Sequence, residues 1–325
     1  MSTTVGVDLG GTKMLVGVVD PDASVLYRST EASQGITVEA IVDRLETEVR
    51  LALAEHPDAA AVGLGVPCTI DRARGLAVSS VNLPLVDVPV RELMRERLQV
   101  PVFLDNDANL HALAEHRFGA ARGARNVVLL TIGTGIGGGL VLDGDLFRGS
   151  SGAGAEMGHV VVKSDGPRCQ GNCPSRGCVE TMASGTALAR DGRAVAAGAP
   201  GSALGRLAAA GEPLDGRAVV DAALEGDAAA RGVVEAAGRY LGVALASLAN
   251  TFDPDVIVLG GGVIAAGELL VSPARSELRA RALPPMNRVE VVAAELGPEA
   301  GMIGAATMAR EEFEAVAPTP QQAER

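Results

Sequence analysis

One short pattern occurs twice in this chain, and its repetition limits the fold more than any other feature. An apolar, strand-like run from Val5 to Asp8 leads through Gly10-Gly11-Thr12-Lys13 into a second apolar run, Met14 to Val19. About 125 residues later, Val127 to Ile132 leads through Gly133-Thr134-Gly135-Ile136-Gly137-Gly138-Gly139 into Leu140-Val141-Leu142. Each copy reads as strand, glycine/threonine turn, strand. The repeat predicts a duplicated α/β domain, and 325 residues suffice for two domains at roughly 150 residues each. A chain of this length closes its core without needing disulfides or a metal to do so. The first copy runs on through the turn Asp20-Pro21-Asp22 to Val25-Leu26-Tyr27, which predicts an antiparallel meander.

Further elements follow from periodicity. Ile41, Leu45, Val49 and Leu53 recur on one helical face that stops before Pro57. Strands are predicted over 61–66, 100–104 and 256–259, and helices over about 108–118, 231–251 and 302–313. Residues 150–180 are rich in glycine and cysteine, with little periodicity. Residues 191–216, rich in Ala, Gly and Pro, read as a surface excursion, and the Pro/Gln/Ala tail as a frayed end.

Charge and composition narrow the function. The formal net charge is -12, which repels phosphate backbones and anionic membranes and so argues against nucleic acid as a partner. A small anion such as ATP remains compatible, because backbone N–H groups and a metal ion can carry its binding. No uninterrupted apolar run reaches the ~18 residues of a membrane span, and no signal peptide precedes the first strand. The expected location is therefore cytoplasmic. With no Trp, 2 Tyr and 5 Phe, an aromatic platform for stacking a sugar or base is not expected.

Five clusters carry chemistry. In the first turn, Gly10 and Gly11 allow close backbone approach to phosphate, Thr12 adds a hydroxyl donor, and Asp8 at a strand end can hold Mg²⁺ through water. An ordinary hairpin turn uses the same residues. The second turn matches G-x-G-x-x-G, but the dinucleotide reading requires a helix after it, and Leu140-Val141-Leu142 reads as strand. Gly133, Thr134 and Gly135 are therefore read as a second phosphate turn. Gly260-Gly261-Gly262 closes a buried strand, leaving room for adenine or simply making a tight strand–helix turn. Asp105-Asn106-Asp107-Ala108-Asn109 marks a strand-to-helix junction with more Asx than a cap needs. A carboxylate there can accept a hydroxyl proton, and the helix N-terminus favours its ionised form. Finally, His159, Cys169, Cys173 and Cys178 supply a Cys₃His set that would close a structural Zn²⁺ site; three reduced thiols in a loop are the alternative. Glu156 and Glu180 flank this loop, placed either to bind a polyol or to face solvent. His56, His111 and His116 read as ordinary helix residues, and Cys68 as a small buried apolar residue.

Taken together, these motifs resemble the ROK family of the sugar-kinase and actin-like ATPase superfamily, and within it the bacterial ATP-dependent glucokinases. The resemblance covers nearly the whole chain. Asp8 to Lys13 and Gly133 to Gly139 are similar to its two phosphate motifs, and Asn106 to Asn109 to its N-D-A-N. Glu156 to His159 matches E-x-G-H, Gly177 to Glu180 matches G-C-x-E, and Leu259 to Val263 resembles L-G-G-G-V. The resemblance implies two ribonuclease H-like domains hinged around a cleft: a small one over 1–108 completed by a helix at 300–325, and a large one over 109–299. It implies Asp107 as general base and Asn106, Glu156, His159 and Glu180 as sugar contacts, with Gly65 and Asn82 lining the sugar pocket. It also implies ATP with Mg²⁺, Zn²⁺ on His159, Cys169, Cys173 and Cys178, and a homo-oligomer (dimer or tetramer). The expected reaction is phosphorylation of a hexose, foremost glucose, at its 6-hydroxyl; an N-acetylhexosamine kinase and a sugar-responsive regulator are the alternatives. The chain departs from the family in three places. Three residues separate Cys169 from Cys173 where C-x-C is usual, Asp105 stands where Glu is usual, and no Trp follows Asn82-Leu83.

Overall fold

The computed structural model describes residues 2–33, 37–80 and 83–316. The chain forms two compact units: Met1–Arg122 with Leu146–Ala155 and Pro298–Arg325, and Gly123–Asp145 with Glu156–Gly297. The first division falls after the helix that follows Asn106, not before it as the sequence suggested. The reason is packing, since that helix lies against the C-terminal helix of the same unit. The expected frayed tail, 317–325, lies outside the described residues.

In the first unit, β1 (Thr4–Leu9), β2 (Lys13–Val19) and β3 (Val25–Ala32) form the expected antiparallel meander. α1 (Val38–Glu55) is capped by Thr37, whose hydroxyl accepts from the Ala40 N–H, and turns Ile41, Leu45 and Val49 into the core. β4 (Val62–Val66) then pairs parallel to β1. A small sheet of β5 (Cys68–Asp71), β6 (Leu76–Ser80) and β7 (Val86–Val88) follows, then α2 (Val90–Leu98). β8 (Val102–Asn106) completes the main sheet in the order β3-β2-β1-β4-β8 and leads directly into α3 (Asp107–Phe118).

The second unit repeats the plan. β9 (Val127–Ile132), β10 (Ile136–Leu142) and β11 (Asp145–Leu146) open it. α4 (Val179–Ala183), α5 (Gly185–Gly198), α6 (Ala203–Ala209), α7 (Gly216–Leu224) and α8 (Ala228–Phe252) come next. β12 (Val256–Gly260), α9 (Glu268–Arg281) and β13 (Glu290–Ala293) complete the sheet in the order β11-β10-β9-β12-β13. β10 is antiparallel to β9, whereas β12 is parallel to both β9 and β13. The second glycine turn therefore enters a strand, as expected, and not the helix of a dinucleotide site.

The sequence reading is refined over 191–216. The region lies largely at the surface, as expected, but it is helical and partly anchored: Ala196 and Leu204 are buried, and three serine or aspartate caps (Ser184, Ser202 and Asp215) start three consecutive helices there. Alanine-rich helices bury small side chains and leave little apolar periodicity to read. α8 is long and apolar enough to cross a membrane by length and composition, but most of it is buried inside the second unit, where it packs on α9.

α10 (Ala300–Val316) returns to the first unit as expected and is buried from Ala300 through Arg310. It lies against the sheet at backbone distance. A Cβ on Gly6 would overlap the Met302 carbonyl, and one on Gly63 the Ala305 carbonyl. On its other side, Gly304 meets the Leu110 carbonyl of α3 in the same way. This packing fixes α3, and with it the Asx-rich turn at the end of β8.

Candidate active site

The residues singled out from sequence gather at the carboxyl ends of the parallel strands in each unit, where open α/β sheets bind ligands. In the first unit Asp8 of β1 pairs in register with Gly65 of β4, and Gly65 with Asp105 of β8. Asp107 begins α3, half-buried, and its Oδ1 accepts from the Ala108 N–H at 2.9 Å. Asn106 is the helix cap. Its Oδ1 accepts from Ala108 and Asn109 N–H at 2.9 and 3.2 Å, and its Nδ2 donates to the Cys68 carbonyl at 3.2 Å. That leaves one N–H of the amide for a ligand. Gly65 is buried beneath the turn, where an added Cβ would lie 2.8 Å from Leu110 Cδ1 and 3.7 Å from Asp107 Cα. Asn82 lies outside the described residues.

The first glycine turn is closed by Gly10 N–H donating to the Lys13 carbonyl at 2.9 Å. Ser33 holds it from the side: its hydroxyl donates to the Gly10 carbonyl at 2.6 Å and its N–H to the Thr12 carbonyl at 3.1 Å. Thr12 and Lys13 are exposed. His111, read from sequence as an ordinary helix residue, instead faces Asp8, with Nε2 3.7 Å from Oδ2. Burial works against its charged form, but Asp8, then Asp107 and Glu115, outweigh burial and raise its pKa. Its place one turn after Asp107 on α3 was the available signal. Cys68 is buried as expected, and burial pushes its thiol up to about 12, which leaves it an inert packing group.

In the second unit the turn Gly133–Gly135 is held by the start of α5. Gly185 N–H donates to the Gly133 carbonyl at 2.8 Å, and the Thr186 hydroxyl to the Thr134 carbonyl at 2.8 Å. Glu180 reaches the same turn, its Oε2 accepting from Ile136 N–H at 2.9 Å. One oxygen of the expected sugar ligand is thus committed to the protein, and a Cβ on Gly135 would push that carboxylate aside. Gly260 ends β12, and Gly261 takes a φ of +87° where a Cβ would lie 2.5 Å from the Ile132 carbonyl oxygen. Gly262 begins a short 3₁₀ turn, so these glycines make a strand–helix turn whose surface is open at 261 and 262.

The loop before α4 brings His159, Cys169, Cys173 and Cys178 together, with their ligand atoms all within 4.8 Å of one another. His159 Nδ1 lies 3.4 Å from Cys169 Sγ, and Cys173 and Cys178 Sγ are 4.0 Å apart. Sulfurs bound tetrahedrally to zinc at about 2.3 Å stand roughly 3.8 Å apart, so the set fits that ion despite its unusual spacing in sequence. Burial and the neighbouring thiols raise the pKa of Cys169, and burial foremost that of Cys178. These shifts favour the neutral thiols, and a bound cation would stabilise the thiolate forms instead. His159 Nε2 turns away toward Glu156 Oε2 at 3.9 Å, as a metal-bound imidazole turns its second nitrogen to a carboxylate. Surrounding protein raises the pKa of Glu156; His159 opposes this and Glu180 adds to it.

The chain matches the family model for the ROK family over residues 4–312. It is 39% identical over 309 residues to the glucokinase of Thermotoga maritima, covering 94% of this chain and 97% of that protein. It is 37% identical over 316 residues to the glucokinase of Streptomyces coelicolor, covering 96% and 98%. Among solved structures it superposes on a ROK family glucokinase from Streptomyces griseus, crystallised with glucose and AMPPNP. The TM-score is 0.85 and the identity 38%, over 95% of this chain and 99% of that one. Matched along nearly its whole length in sequence and in fold, this chain belongs to the ROK family.

Proposed function

We propose that the protein is an ATP-dependent glucokinase that transfers the γ-phosphoryl group of ATP to the 6-hydroxyl of glucose. The observation that carries the reading is Asp107, a half-buried carboxylate at the first position of α3, on a turn fixed by Asn106 and Asp105. The relatives just described, each a glucokinase, match this chain along nearly its whole length.

Asp107 accepts the proton of the sugar hydroxyl as its oxygen attacks phosphorus. In a loose transition state that proton leaves late, so a carboxylate is a sufficient base. Asn106, with its one free amide N–H, and Glu156, His159 and Glu180 orient the hexose; Gly65 leaves room for the turn. The turns at Gly10-Gly11-Thr12-Lys13 and Gly133-Thr134-Gly135 supply N–H and hydroxyl donors to the phosphates, and Gly260-Gly261-Gly262 accommodates the adenosine end. Asp8, a partly exposed carboxylate at the end of β1, would hold Mg²⁺, which when bound neutralises phosphate charge. Zn²⁺ on His159 Nδ1 and the three thiolates would organise the loop that carries Glu156 and Glu180, and thiolate ligation suits a cytoplasmic protein.

The test is a coupled ADP-release assay over a panel of hexoses. Glucose is expected to show a higher kcat/KM than N-acetylglucosamine and N-acetylmannosamine. Equal or higher values on an N-acetylhexosamine would reassign the substrate, and sugar binding without turnover would make the protein a regulator.

A further inference from the structure

Asp105 is fully buried, and its two oxygens face different partners. Oδ1 accepts from the Asn106 N–H at 2.8 Å and from Asn109 Nδ2 at 3.0 Å, both on the turn that presents Asp107. Oδ2 faces two guanidinium groups, with Arg148 Nε at 2.5 Å and Arg72 Nε at 3.5 Å. Only Arg148 makes a hydrogen bond there; the buried Arg72 Nε has no hydrogen-bond partner. Glu312 on α10 pairs with Arg72 and lies 3.8 Å from Arg148, balancing the second cation.

Arg148 reaches this position from an unusual part of the chain. It lies in Leu146–Ala155, which joins the first unit between two stretches of the second. That segment closes on itself: Gly154 N–H donates to the Arg148 carbonyl at 2.8 Å. Gly152, at a φ of +88°, sits so close to β5 that a Cβ would lie 2.8 Å from the Ile70 carbonyl oxygen. The guanidinium is therefore presented from a closed, seated loop and loses little freedom in meeting Asp105.

We infer that Arg148 is a positioning residue for phosphoryl transfer: by holding Asp105 Oδ2 it orients the carboxylate that fixes Asn106 and Asn109, and through them the place of Asp107. The inference rests on Asp107 being the base. Without Arg148 the buried carboxylate keeps only a cation at longer range and turns toward it, and the turn moves with it. A displacement on the order of 1 Å at a reacting group costs up to about 10²-fold in rate.

The experiment compares Arg148→Met, Arg148→Lys, Asp107→Asn and the double variant Arg148→Met/Asp107→Asn. It measures kcat, direct glucose affinity and Tm. Arg148→Met is expected to lower kcat about tenfold, with a smaller fall in glucose affinity because the same turn carries Asn106. Arg148→Lys, which keeps the charge but not the planar fork, is expected to recover part of the loss. In the Asp107→Asn background, removing Arg148 should cost less than about twofold, because the group it positions is already gone. Arg148→Met with normal kcat beside a crippled Asp107→Asn would overturn this inference alone. So would a tenfold loss that persists in the double variant. If Arg148→Met fails to fold, a normal kcat for Arg148→Lys with a Tm below wild type overturns it, and a reduced kcat at unchanged Tm supports it. Near-normal turnover of Asp107→Asn would instead overturn the assignment of the base.

Discussion

The two glycine turns that open the two units share a plan but are held by different means. In the first, Ser33 from the neighbouring meander strand braces the Gly10 and Thr12 carbonyls. In the second, the brace comes from Gly185, Thr186 and Glu180, at the end of the cysteine loop. The first turn thus depends on its own sheet, whereas the second is tied to a segment in which three thiols and an imidazole meet. The same contrast runs through the units. The first fixes its Asx turn by close packing of α10 and α3 through glycine, and the second fixes its carboxylates by a candidate metal cluster. A duplicated sheet therefore supplies the frame twice, and the chemistry differs with the segment attached to each strand pair.

The sharpest way to break this comparison is to remove the base from the first unit. Asp107→Asn keeps size and one acceptor oxygen but cannot take a proton. It should lower kcat by roughly 10²-fold or more while glucose affinity falls much less. Asp105→Asn should be the milder change in kcat, on the order of the tenfold loss expected of Arg148→Met, since Asp105 touches only protein groups, and should also lower Tm by weakening a buried charge cluster. In the second unit the pattern should invert. Cys178→Ala removes a buried thiol of the cluster and should weaken glucose affinity on the order of tenfold and lower Tm together, with loss of about one Zn²⁺ per chain by metal analysis. Zinc-free wild type with normal sugar affinity would show that the sugar site does not need the metal.

Two alanine substitutions sharpen the contrast at smaller amplitude. Gly63→Ala pushes a methyl into the Ala305 carbonyl and should destabilise by about 1–3 kcal/mol, read by denaturant unfolding. Gly133→Ala meets no atom within 4 Å, so its stability should stay within about 0.5 kcal/mol of wild type. Any rise in KM for ATP in that variant then reports contact with the nucleotide. Equal destabilisation by the two changes would contradict the difference drawn between packing glycines and ligand-facing ones.

Much of this was legible in sequence because its signals are local. Strand–turn–strand repeats, the Asx run at 105–109 and the cysteines at 169, 173 and 178 each sit within a few residues of their partners. The alanine-rich helices α5 to α7 were not legible, since small side chains leave no apolar stripe. α9 was hidden by Pro273 in its interior and by its dependence on Gly238 and Gly242 of α8, where Cβ atoms would overlap the Leu270 and Ala274 carbonyls. Among the site residues, Asn106 was found, and one Asx of the run was expected to cap the helix; which one caps shows only when the amide partners are seen. His111 and Arg148 were missed for a different reason. Their partners, Asp8 and Asp105, stand far from them in the chain; the spacing of His111 from Asp107 marks a shared face of α3 but not the partner, and a single arginine carries no such spacing at all.

The destination of the phosphoryl group decides whether Asp107 serves as the base of a glucokinase. Phosphorus-31 NMR of the reaction of the purified protein with glucose and Mg-ATP reads this directly. One glucose 6-phosphate is expected for each ADP, at a rate that Asp107→Asn cuts by about 10²-fold. ADP released without sugar phosphate, phosphate on another hydroxyl, or unchanged turnover in that variant would contradict the assignment.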